Sequence, residues 1–216
     1  MSHFASSGGK DTSRLGRAIS HYVRTASGGS GTATRRMAPS RTTAAGLVGF
    51  LQSARVQGVT EALRHLNLQE LSGQPVEKIF VALADAICPD GGTIDEAIAR
   101  EAFIETIAEV VEAGLDLAQM TADQMLEILE AFIANSIEAR LHNDIGMKVV
   151  ALPSDLAAIR RVQTQIHDFV RGAVHDAVHR TSQIFDGLVP ARIEGLVREV
   201  YISAFDLMAA MAEGME

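Results

Sequence analysis

A chain of 216 residues, 47% of them hydrophobic, is long enough to bury a core without staples and too apolar to be disordered throughout. Cys88 is the only cysteine, which excludes an internal disulfide and a cysteine-rich zinc centre. The net charge of −8 is uneven: residues 1–65 hold nine Lys and Arg against Asp11 and Glu61, a balance of +7, and the remainder stands at −15, an asymmetry that points to partner contacts or to intramolecular docking.

Trp is absent, aromatics are few, and Ala, Leu, Ile, Glu and Met abound, a mixture that favours helices because unbranched side chains lose little rotamer freedom there. No basic segment followed by an apolar stretch opens the chain, and no apolar run approaches about 18 residues. The expectation is a cytoplasmic protein with no membrane span.

Residues 1–10 (MSHFASSGGK) are small and polar without an apolar period. A short helix is predicted next, capped by Asp11, Thr12 or Ser13, with Leu15, Ile19 and Tyr22 as its apolar stripe and Arg14, Arg17, His21 and Arg24 opposite. Ser27-Gly28-Gly29-Ser30-Gly31 then breaks the chain. Further helices are predicted near 41–57, 60–66, 75–87, 93–113, 121–147, 154–187 and 190–213. Ser40 and Thr60 are read as caps, Pro75 and Pro190 as starts, Thr93 with Glu96 as a capping box, and Thr121 and Ser154 as later starts. The clearest periods are Met125, Leu129, Phe132, Ile133, Ile137, Leu141, Ile145 and Ile159, Val162, Ile166, Phe169, Ala173, Ala177, Ile184, Leu188. The fold class is therefore all-α, a multi-helix bundle with a mobile N-terminal arm. Residues 1–31 are the flexible segment with its short basic helix, 32–213 the helical domain and 214–216 a disordered tail.

Several constellations bear on chemistry. In HDFVRGAVHDAVH (167–179), His175 and His179 are four apart, a spacing that places two imidazoles on one metal, with His167, Asp168 and Asp176 as further ligands of a metal-dependent hydrolase. At about 100° per residue, however, His175 falls nearly opposite the stripe of Ile166, Ala173 and Ala177, so a solvated face is the expectation, with no metal and no cofactor. Cys88 lacks a neighbouring base and reads as a small buried hydrophobe at a helix end. Asp90 to Glu101 fails as an EF-hand, since Gly92, Ile94 and Asp95 occupy the third, fifth and sixth positions. Gly8-Gly9-Lys10-Asp11 lacks a phosphate loop's first glycine and its Ser or Thr. The basic arm is read first as a protein-contact surface. A nucleic-acid module is the alternative, disfavoured because Phe4 and Tyr22 alone offer stacking. Glu96 with Arg100 and Arg140 with Asp144 have ion-pair spacing. Arg140 lies beside its apolar stripe, as a buried structural pair or as an interface residue.

The segment LADAICPDGGTIDEAIAREAFIETIAE (83–109) resembles the signature stretch of the QatB family. The likeness continues through MTADQM (120–125), IEARLHNDIG (137–146) and ALPSDLAAIRRVQTQIHDFVRGAV (151–174), and upstream through ISHYVRTASGGSGTATRRMAPSRTTAAGLVGFL (19–51). It covers about residues 10–210. The resemblance implies an accessory protein, without a catalytic site, of the four-component Qat anti-phage defence system. Its companions there are a QueC-like enzyme (QatC), a P-loop ATPase (QatA) and a TatD-like nuclease (QatD). It implies docking on the QueC-like enzyme; related enzymes attach a deazapurine to a protein's N-terminal glycine, and family members often begin Met-Gly with a Gly/Ser/Pro-rich tail. This chain departs there, opening Met1-Ser2-His3, so the expectation is that it is the folded part of a longer protein and holds no acceptor itself. The contact positions this reading selects are Arg14, Arg17, Arg24, Arg35, Arg36, Asp90, Gly91, Gly92 and Arg140.

Overall fold

The computed structural model describes residues 12–89, 92–146, 156–181 and 190–210. Among these residues there are nine α-helices and no strand. In chain order they are α1 (Thr12–His21), α2 (Ser30–Arg36), α3 (Ala38–Gln57), α4 (Val59–His65), α5 (Val76–Ile87), α6 (Ile94–Glu112), α7 (Ala122–Gly146), α8 (Leu156–Thr181) and α9 (Pro190–Ala210). The all-α bundle expected from composition and period is what forms. None of its helices, among the described residues, is long and apolar enough to cross a membrane.

Local chemistry sets most of the boundaries. The Thr93 hydroxyl accepts from the Glu96 N–H at 3.2 Å while the Glu96 carboxylate accepts from the Thr93 N–H at 2.8 Å, the capping box that opens α6. Thr121 and Gln124 repeat the arrangement ahead of α7, at 3.2 and 2.9 Å. Replacing Thr93 with Ala is expected to lower stability by about 1 kcal/mol, read by urea denaturation; an unchanged midpoint would show that α6 starts without its cap.

Two expected caps are corrected. α3 begins at Ala38 with Pro39 in its first turn, so Ser40 lies inside the helix and is buried. α4 begins one residue before Thr60, after Gly58, whose φ of +93° suits the residue that breaks α3 from α4. The Thr60 hydroxyl instead meets that of Ser72 at 2.6 Å.

The helix expected at the head of the chain is present. Its stripe of Leu15, Ile19 and Tyr22, joined by Val23, is buried against α8 and α9. Residues 12–31 thus dock on the bundle through the very side chains whose period defined them. A π-turn over Tyr22–Ala26 leads out of α1 and is closed by the Ser27 N–H on the Tyr22 carbonyl and the Gly29 N–H on the Val23 carbonyl, each at 2.9 Å.

α7 is the axis of the core and packs on α3, α6 and α8. Ala131 to Ile137 are buried without interruption, so the helix is enclosed on every side at its middle rather than lying along a surface. Phe132 meets Phe103 edge-on, centroids 6.3 Å apart at 66°, and Phe103 in turn tilts on Phe80 at 6.3 Å. Enclosure forces the polar members of this run to find partners. Ser136 shares a 2.7 Å hydrogen bond with the Tyr201 hydroxyl, whose burial pushes its pKa up. Asn135 donates to Thr106 at 3.2 Å and to Glu109 at 3.0 Å, and accepts from Arg171 at 3.2 Å.

Candidate functional site

The turn after α1 and helix α2 converge on Asp144, near the end of α7. Its carboxylate accepts from the Tyr22 hydroxyl at 2.6 Å and pairs with the Arg36 guanidinium at 3.2 Å. Arg140, one turn earlier and only 4% exposed, lies 3.8 Å from it, donates to the Arg36 carbonyl at 3.0 Å and pairs with Asp95 at the start of α6. Burial pushes the Asp144 carboxyl up, but the Tyr22 hydrogen bond and the Arg36 and Arg140 charges outweigh it and hold the group below the usual range. The same burial, with the Asp144 bond, pushes the Tyr22 phenol up to about 12. Asp144 therefore stays ionised at neutral pH and Tyr22 stays protonated. The network ties the turn after α1 to α2, α6 and α7.

A second seam runs along α7 and α8. His167 Nδ1 lies 3.1 Å from the Glu138 carboxylate, His175 Nδ1 lies 3.1 Å from Glu130 Oε2, and His179 Nδ1 lies 3.6 Å from Glu130 Oε1. The histidines are exposed, as their position opposite the apolar stripe requires. Asp168 and Asp176 are exposed too but do not join them; among the described residues the one cluster with metal-ligand geometry is Glu130, His175 and His179. Next to this seam, Glu101, Glu105, Glu138, His142 and Asn143 line a groove of about 490 Å³ between α6 and α7. Burial first, then repulsion from Glu101, Glu138 and Glu109, pushes the Glu105 carboxyl up. Cys88 is buried at the end of α5 and burial raises its thiol pKa, which suits a packing residue and not a nucleophile.

A family model described as "Qat anti-phage system associated protein QatB" matches residues 28–208. The chain belongs to the QatB family. It is accordingly an accessory component of an anti-phage defence system. No curated protein and no solved structure matches it.

In this QatB-family chain the contact positions selected from sequence divide into separate groups. Arg140 and Arg36 are brought together in the Asp144 network. For Arg140 this realises the buried structural pair, one of the two roles its place beside the stripe allowed. Arg17 and Arg24 are exposed on α1 and the turn after it, and Arg24 also donates to the Ala209 carbonyl at 3.1 Å. Arg35 is exposed and donates to the Thr32 hydroxyl at 2.7 Å. Gly92 is exposed just ahead of the α6 cap; Asp90, Gly91 and the Arg14 side chain lie outside the described residues. The Glu96–Arg100 spacing serves other ends, since Glu96 caps α6 and Arg100 pairs with Asp85 of α5. Tyr22, Asp95 and Glu130 were not singled out as polar partners. Their partners are 122, 45 and 45 residues away, beyond any local spacing rule.

Proposed function

We propose that this protein is a non-catalytic adaptor that docks on a QueC-like (QatC) enzyme in the cytoplasm and connects it to the ATPase-like and nuclease-like members of the same system. The match to the QatB family over residues 28–208 carries this reading. The surface supports it. Val81 on α5 and Ile94 and Ile104 on α6 are 61%, 52% and 55% exposed. Exposed β-branched side chains give a partner apolar area to bury. The exposed arginines of α1, the turn after it and α2, Arg17, Arg24 and Arg35, supply positive charge for an acidic partner surface. In the same reading, a longer form of the chain carries at its N-terminus the residue that the QueC-like enzyme modifies.

Co-expression and co-purification with the QueC-like enzyme tests the docking. The expected result is a complex stable through size exclusion at low salt and weakened at least about tenfold by Ile94→Asp with Ile104→Asp. Failure of the wild-type chain to co-elute, with both proteins folded, would overturn the reading.

A further inference from the structure

We propose that Glu130 of α7 and His175 and His179 of α8 form a binding site for a divalent transition-metal ion, zinc above all, that clips the two helices together. The ligand atoms of these three residues all lie within 4.8 Å of one another. A tetrahedral zinc ion with bonds of about 2.0–2.1 Å holds its ligand atoms roughly 3.3 Å apart. The two histidine–carboxylate distances, 3.1 and 3.6 Å, bracket that separation. Both imidazoles turn the same nitrogen, Nδ1, toward one carboxylate, each toward a different oxygen, with ring centroids 4.1 Å apart. The three ligating groups are thus already gathered at one place.

Their backbones are held in place. Leu129 and Ala131 on either side of Glu130 are buried, and so are Val174, Ala177 and Val178 around the histidines, so core packing fixes the separation of the two helices at this level. Glu130 is only 17% exposed, whereas His175 and His179 are 56% and 62% exposed. An ion would therefore sit at the rim of the interface, with three protein ligands and its remaining position open to water. Two imidazoles with one carboxylate suit zinc, copper or nickel, whereas magnesium and calcium prefer oxygen alone. The sequence offered the i, i+4 histidine pair and a solvated face; the structure adds the carboxylate from the neighbouring helix. Metal binding here does not depend on the docking reading.

The test is titration of the tag-free full-length chain with zinc chloride by calorimetry, alongside thermal unfolding in the same zinc series. The expected result is one strong equivalent and a Tm that rises with zinc, because an ion that binds only the folded state stabilises it. His175→Ala and Glu130→Gln should each weaken binding by more than about tenfold, the lower end of what loss of even an outer-shell partner costs. His167→Ala should leave it unchanged. Cobalt in place of zinc should give the intense visible absorption of a tetrahedral site in the wild-type chain, and that band should vanish in His175→Ala with His179→Ala. Circular dichroism of the variants keeps loss of binding distinct from loss of fold. Absence of zinc binding by the wild-type chain, or binding that persists in the double histidine variant, would overturn the proposal.

Discussion

Replacing Asp144 with Ala should destabilise the protein by about 3–5 kcal/mol at neutral pH, the usual cost of removing one partner from a buried charge network. The effect is large because two of the residues left behind, Arg140 and Tyr22, are buried from water. Arg140 is 4% exposed and would keep Asp95 as its only carboxylate in this network. Tyr22, 8% exposed, would lose the acceptor of its hydroxyl, and Arg36 would lose the charge that draws α2 onto α7. Asp144→Asn keeps an acceptor for Tyr22 and removes only the charge, so it should cost less. The network also predicts a pH dependence. The Asp144 carboxyl is held below its ordinary value near 3.8 in the folded state, so the unfolded chain takes up its proton first as pH falls. The stabilisation it contributes is complete above about pH 5 and is lost progressively as pH drops through 3.8 to the lower folded value. Urea denaturation of wild type and Asp144→Asn at pH 7 and at steps below pH 4 checks this. The gap between them should shrink on the acid side, and a gap that is constant or widens would contradict the assignment.

A comparable loss, about 3–5 kcal/mol, is expected for Phe132→Ala. The ring is fully buried at the level where α7 is enclosed, and it carries the edge contact to Phe103 that continues to Phe80. Helices on several sides leave little room for the surroundings to collapse into the space, which is the condition under which a cavity is most costly. Phe132→Leu keeps most of the volume and should cost less than half as much. Guanidinium denaturation gives both numbers from the shift in midpoint at constant slope. A loss below about 1 kcal/mol for the alanine variant would mean that α7 is not the packed axis described here.

How much could be read in advance differs from residue to residue. Thr93 with Glu96 announces the start of α6 because both partners of the cap lie within one turn. Ser40 and Thr60 misled for the same local reason: a hydroxyl before an apolar run looks like a cap whether or not the helix has already begun. Helix starts at Ala38 and Val59 were set instead by Pro39 and by the turn at Gly58. Along α7 the apolar period was legible, but Asn135 and Ser136 read as ordinary polar positions, although both are buried and hydrogen-bonded to other helices. Arg140 and Asp144 were visible as an i, i+4 pair; that Tyr22, Arg36 and Asp95 complete their network was not.

By itself, then, the sequence determined the all-helical class, nearly every helix, the outward face of His175 and His179, and membership of the QatB family, which is matched over residues 28–208. These rest on propensity, caps and a 3.6-residue period, forces that act between residues a turn or two apart. Only the tertiary structure decided that α1 docks on the bundle, that Arg140 is buried between two carboxylates, and that Glu130 stands beside the histidine pair. Each of those depends on which helix faces meet and at what height, and that is settled by packing between segments far apart in the chain.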